Sequence, residues 1–173
     1  MTADDLEKLI RLTPDFPKPG ILFRDITPLL RDALQPTIDC IADLYSAAEW
    51  AGIDAVVGIE SRGFILAAAL AYAKGKRLLV VRKPGKLPPP VNTVAYSLEY
   101  GQDTLQMAAD IPPQRVLIAD DVIATGGTLG ATCELCERGG HAIAWIVTLI
   151  NLAALNDFRR GDIVPRSLFR YGD

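Results

Sequence analysis

Short apolar runs alternate along most of this chain with longer runs in which apolar residues recur every three or four positions. Residues 53–59, 78–82, 116–119 and 142–149 are nearly continuous apolar stretches rich in Val, Ile and Leu, and they predict strands. Residues 63–74 and 127–138 are longer, each opens at a glycine, and each predicts a helix. Strands that are apolar toward both faces cannot leave either face to water, so helices must cover both sides of a parallel sheet. The expected fold class is α/β, with an open, mostly parallel sheet and helices on both faces.

Upstream, residues 4–12 predict a short helix, after which Thr13, Pro14, Pro17, Pro19 and Gly20 break regular structure and predict an extended surface segment. Residues 36–50 place Ile38, Ile41, Leu44, Tyr45 and Ala48 three or four apart and predict one amphipathic helix with Pro36 in its first turn. Between residues 83 and 110 the alternation stops, and the segment holds Pro84, Gly85, Pro88, Pro89, Pro90, Tyr96, Tyr100 and Gly101. A connection this long in a small domain is usually functional. A lid is expected there, with residues 93–96 and 104–107 able to pair as a hairpin.

With 173 residues, half of them apolar, the chain can bury one substantial core, and a single domain over residues 1–173 is expected. Eighteen basic against 21 acidic side chains leave a formal charge of -3, so nothing implies a general attraction to nucleic acid or to an anionic membrane. Any site for a polyanion has to be local. The apolar stretches at 64–73 and 142–150 fall short of the roughly 20 residues a membrane-spanning helix needs. Residues 1–12 are acidic and mixed, unlike a secretory signal, and a cytoplasmic location is expected.

The cysteines are Cys40, Cys133 and Cys136, an odd number that argues against a disulfide framework. Cys133 and Cys136 form a C-x-x-C, but zinc would require two further ligands where the chain offers one more Cys and the single His141. Three apart on a predicted helix and on the face of Leu129, both thiols are expected to be small buried residues.

The chemistry concentrates in residues 116–128, Val-Leu-Ile-Ala-Asp-Asp-Val-Ile-Ala-Thr-Gly-Gly-Thr. A buried strand delivers Asp120 and Asp121 to its C-terminal end, the side of an open α/β sheet where ligands bind. Ala124, Thr125, Gly126, Gly127 and Thr128 then open a helix. Glycines let main-chain amides approach an anion closely, the threonines add hydroxyl donors, and the helix start presents unpaired N–H groups with partial positive charge. Together they form a phosphate cradle. The two carboxylates ahead of it suit ribose hydroxyls and can lie near a magnesium ion carried by a diphosphate. Neither the Gly-Lys-Ser/Thr of a Walker A loop nor G-x-G-x-x-G is present at this turn. A second strand-to-helix turn, residues 57–64, carries Glu60, Ser61 and Arg62, and Arg62 can bind an anion there with two parallel hydrogen bonds.

Residues 116–128 closely resemble the phosphoribosyl pyrophosphate signature of the type I phosphoribosyltransferases. Residues 14–28, 82–88 and 96–101 further resemble the adenine-specific members of that family, so the likeness extends over nearly the whole chain. The resemblance implies a small hood built from residues 13–33 and 151–173 beside a core of about 34–150. It implies a purine-salvage enzyme that makes AMP and pyrophosphate from adenine and 5-phosphoribosyl 1-pyrophosphate (PRPP), with Mg2+ carried by the diphosphate. PRPP would be held by Asp120, Asp121, residues 124–128, Ser61 and Arg62, with Arg82, Lys83 and Lys86 adding positive charge across a homodimer interface. Leu22, Phe23 and Arg24 would line the base pocket, Leu152 would pack on the other base face, and Glu99, with Tyr100 in the lid, would contact adenine at N7.

Enzymes of this fold that act on 6-oxo purines usually carry a lysine on the strand beside the base, and residues 146–150 contain none. The competing readings are an enzyme for another purine, a non-catalytic nucleotide-sensing regulator of the same fold, and a hydrolase using Asp120 and Asp121 as a metal pair.

Overall fold

The computed structural model describes residues 1–98 and 101–172 and divides the chain into two compact units, residues 1–44 and 45–173. In the first, helix α1 (Ala3–Glu7) is closed at its start by a reciprocal Thr2–Asp5 capping box. Strand β1 (Arg11–Pro14) pairs antiparallel with β2 (Leu22–Asp25), so the expected extended segment begins as half of a two-stranded ribbon. Arg11 and the main chain of Thr27 both bind the Asp25 carboxylate, which joins the ribbon to the start of helix α2 (Thr27–Ala42).

That helix corrects the single helix expected over residues 36–50. It starts nine residues earlier, with Pro28 in its first turn, and bends at Ala33, whose φ of -146° is not helical. Pro36 explains the bend, because it has no N–H to offer and its ring crowds the preceding turn. The Thr37 hydroxyl donates to the Ala33 carbonyl at 2.8 Å. After Ala42 the helix stops, and a separate α3 (Ala47–Ala51), in the second unit, starts with a Ser46–Glu49 capping box.

The second unit continues with β3 (Ala55–Ile59), α4 (Gly63–Lys74), β4 (Arg77–Val81), β5 (Val91–Leu98), β6 (Gly101–Ala108), β7 (Arg115–Ile123), α5 (Gly127–Arg138), β8 (Ala142–Leu152) and β9 (Arg166–Tyr171). Among the described residues, five strands form one sheet in the order β4-β3-β7-β8-β9, every neighbouring pair parallel. Strand β9, formed by residues expected in the hood, is one edge of that sheet.

Alternation along the strands assigns the faces. Val57, Ile59, Val116 and Ile118 share a buried cluster with Leu129, Cys133 and Cys136 of α5, whereas Gly58 faces Ala67 and Phe64 of α4. The two helices therefore cover opposite faces. Both C-x-x-C thiols are buried, and burial pushes each up to about 12, which leaves them protonated and inert, as expected for small core residues. Strands β5 and β6 form the expected hairpin. Val94, Leu105 and Met107 of that hairpin are buried in the cluster beside α5, so its lower half belongs to the core.

Candidate active site

Chain direction through the sheet reverses between β3 and β7: from β3 the path runs through α4 to β4 on one side, and from β7 through α5 to β8 on the other. At such a switch point the loops leaving the two C-terminal strand ends diverge and open a crevice. The turn carrying Glu60, Ser61 and Arg62 leaves β3, Asp120 and Asp121 lie near the C-terminal end of β7, and the loop at 124–126 leaves that end. Both motifs found in the sequence thus meet at one edge of the sheet.

They are joined by an ion pair: Arg62 Nη2 lies 2.7 Å from Asp121 Oδ2. Asp120 is 8% exposed, and its carboxylate accepts from the Asp121 N–H at 2.9 Å. Burial, reinforced by the adjacent Asp121 charge, pushes Asp120 well above the usual carboxylate range. Gly63 is what lets α4 start so close: a Cβ there would come within 2.5 Å of Asp120 Oδ1.

A cavity of about 230 Å³ is lined by Glu60, Asp120, Asp121, residues 122–127, Thr128 and Leu129. At its rim Gly126 adopts φ +87° as the residue before α5, and the Phe158 ring would lie 2.7 Å from any Cβ there. Only glycine meets both conditions. The start of α5 therefore faces the cavity with free main-chain N–H groups and the Thr128 hydroxyl, next to the carboxylates of Asp120 and Asp121.

The cations that follow β4 are held by acidic partners. Glu60 accepts from the Lys83 N–H at 2.9 Å and pairs with Arg82 at 3.3 Å, and these contacts, the main-chain bond foremost, hold its carboxyl below the usual range. Lys83 is ion-paired with Asp103, and Asp103 also accepts from the Tyr96 hydroxyl at 3.2 Å. That hydroxyl lies 3.4 Å from Thr128 Oγ1, so a chain of contacts runs from Lys83 through the hairpin to the start of α5. Lys86 is exposed, with its carbonyl accepting from Arg82 at 3.3 Å.

Of the other sequence candidates, Ser61 is exposed beside Arg62, and Leu152 ends β8 at the same sheet edge as the loops above. Leu22, Phe23 and Arg24 lie on β2 in the first unit, where Phe23 packs edge-on against Phe16 at 5.0 Å. Glu99 and Tyr100 lie outside the described residues. The sequence motifs do not point to Tyr96 and, through it, Asp103 as partners of Thr128, nor to Asn156, whose side chain donates to the Ala124 carbonyl at 2.8 Å. Tyr96 opens the segment 96–101 without any sign there of this contact, Asp103 and Asn156 belong to no local motif, and only the folded topology brings the three in.

Comparison with known proteins gives the family. Residues 31–164 match the Phosphoribosyl transferase domain family. An adenine phosphoribosyltransferase of Hydrogenovibrio crunogenus is 46% identical over 173 residues, covering all of both chains. One from a Synechococcus species is 56% identical over 156 residues, 88% of each chain. The crystal structure of the Saccharomyces cerevisiae adenine phosphoribosyltransferase, complexed with an imino-altritol bisphosphate and adenine, superposes with a TM-score of 0.87 at 34% identity, covering 96% of this chain and 97% of that one.

Proposed function

The chain belongs to the adenine phosphoribosyltransferase family, and from that premise we propose how its residues divide the work of purine salvage, in which adenine and PRPP give AMP and pyrophosphate. One observation carries the assignment: the Arg62–Asp121 pair joins an anion-binding turn to the phosphate cradle at the sheet's switch point.

In the proposed site the amides of residues 124–128 and the Thr125 and Thr128 hydroxyls hold the 5-phosphate, while Asp120 and Asp121 accept hydrogen bonds from the ribose hydroxyls. Ser61 and Arg62 face the pyrophosphate, with Arg82, Lys83 and Lys86 adding charge nearby. As the bond from the anomeric carbon to pyrophosphate breaks, positive charge develops on the ribose ring, and the carboxylate of Asp121 stabilises it. Adenine N9 attacks the same carbon, so the site's main work is alignment and exclusion of water. Leu22, Phe23 and Arg24 recognise adenine, as does Leu152, and Glu99 contacts the base at N7.

Three carboxylates, Glu60, Asp120 and Asp121, line the cavity that is to receive a highly charged diphosphate. These hard oxygen donors fit a magnesium ion brought by the substrate, and among the described residues no cluster of three or more His, Cys, Asp or Glu is set to cage a metal. When bound, the ion offsets charge on the leaving pyrophosphate.

The protein acts as a two-fold dimer in the cytoplasm. Support for the dimer comes from β4 and α4, where Leu78, Ile65 and Tyr72 are exposed and Tyr72 is 91% accessible. A sedimentation run at micromolar concentration that shows only monomer overturns the dimer alone. Chromatographic detection of AMP from adenine, PRPP and magnesium tests the reaction itself, and absence of AMP overturns it.

A further inference from the structure

The segment between β8 and β9 grips the phosphate loop from outside. Asn156 Nδ2 lies 2.8 Å from the Ala124 carbonyl, 2.9 Å from the Leu152 carbonyl and 3.1 Å from Asn151 Oδ1. Its Oδ1 accepts from the Phe158 N–H at 3.2 Å. Every neighbour of Nδ2 is an acceptor and the neighbour of Oδ1 is a donor, so the amide has one workable orientation: turned over, it would set a carbonyl against three acceptors. Two residues on, the Phe158 ring rests on Gly126 and lies 3.7 Å from where a Gly130 Cβ would stand.

These contacts bear on a physical difficulty of the cradle. A loop that closes on a phosphate through main-chain amides needs small residues such as Gly126 and Gly127, and small residues leave it loose. Whatever orders the loop before the substrate arrives lowers the cost of binding. Local sequence offers no such restraint in residues 124–127. Asn156 supplies one by tying the first residue of the loop to the last residue of β8, and Phe158 supplies another by backing the glycine that precedes α5.

We infer that Asn156 is a positioning residue for PRPP: it touches no reacting atom and holds the phosphate loop in its binding shape by bridging Ala124 and Leu152. The inference rests on the assignment of residues 120–128 to PRPP. An aspartate at this position is the informative substitution, because its carboxylate can only accept and would face three acceptors, whereas the protonated acid can again donate one hydrogen bond.

Steady-state kinetics on Asn156→Ala and Asn156→Asp test this, with Thr128→Ala measured alongside. For Asn156→Ala the expected KM for PRPP rises about tenfold, with kcat within about twofold of wild type and the melting curve little moved. For Asn156→Asp the rise is larger at pH 8, and its ratio to wild type shrinks as the pH is lowered toward 5.5. A residue that only supports the scaffold would instead lower the melting temperature and kcat together and leave KM unchanged, which overturns the inference. So does an Asn156→Asp pH profile parallel to that of wild type. If Asn156→Asp does not fold, the KM-against-kcat split of Asn156→Ala decides alone. An unchanged KM for PRPP in Thr128→Ala removes the phosphate assignment itself, whereas a raised KM there with a normal one in Asn156→Ala removes only the role of Asn156.

Discussion

Arg62 and Asp121 stand 2.7 Å apart, and this pair ties the turn after β3 to the C-terminal end of β7, the two strands that flank the sheet's switch point. Asp121 is buried while the Arg62 side chain is 38% exposed. Asp121→Asn keeps the shape and removes the charge. Its kcat/KM is expected to fall by roughly a hundredfold, the scale of losing one preorganised electrostatic contact, with little change in melting temperature. Wild-type kinetics in that variant would take Asp121 out of the site.

Asp120 carries a stability cost. Burial raises its carboxyl above the usual range, so between its unfolded and folded ionisation the native state binds more protons than the unfolded one and stability falls as pH rises. Asp120→Asn is therefore expected to raise the melting temperature at pH 8, with the gain fading toward acid pH, while activity drops. Thermal melts across pH check the sign; a loss of stability at pH 8 would contradict it.

The Thr128 hydroxyl stands at the start of α5 and beside Tyr96. Thr128→Ala should weaken PRPP binding by about 1–3 kcal/mol, the cost of a charge-assisted hydrogen bond. Tyr96→Phe should cost less, since its hydroxyl contacts Thr128 and Asp103. Calorimetric dissociation constants for both variants give the comparison, and equal losses would make Tyr96 a direct ligand.

Asp25 behaves in the opposite way to Asp120. Hydrogen bonds from Thr27, and then the charge of Arg11, hold its carboxyl down to about 2 from an ordinary 3.8. A lowered carboxylate contributes stability that is present above about pH 4 and is lost as pH falls through 2. Asp25→Ala should destabilise the protein by about 1 kcal/mol at pH 7 and by nearly nothing near pH 2. Melting curves at the two pH values decide it.

The parts of the fold that could be read in advance are those whose signals are local. Helices α4 and α5 fall on residues 63–74 and 127–138 as expected, because glycine marks their starts and their apolar spacing is unbroken. Helix α2 was harder, since Pro36 reads as a start when a bend at Ala33 absorbs it. Strand β7 runs on through Asp120 and Asp121, which sequence reading took as the end of the strand, because parallel pairing with β8 satisfies their main chain. Strand β9 has mixed polarity, Arg-Ser-Leu-Phe-Arg-Tyr, and owes its place to the edge of β8 rather than to its own pattern. In the site, the carboxylates, Arg62 and the glycine turn were legible because each lies in a compact motif. Tyr96, Asp103 and Asn156 were not, since they come from elements that only the folded chain brings near.

Competition kinetics with adenine and hypoxanthine at equal concentration, in the presence of PRPP and magnesium, decide which base the enzyme selects. Adenine offers a donor at C6 and an acceptor at N1, and hypoxanthine offers the reverse, so a base site built on main-chain groups of Leu22, Phe23 and Arg24 leaves two polar groups unpaired with the wrong base. At roughly 1–3 kcal/mol for each mismatch, the specificity constant for adenine should exceed that for hypoxanthine on the order of a hundredfold or more. Comparable specificity constants for the two bases would contradict the account.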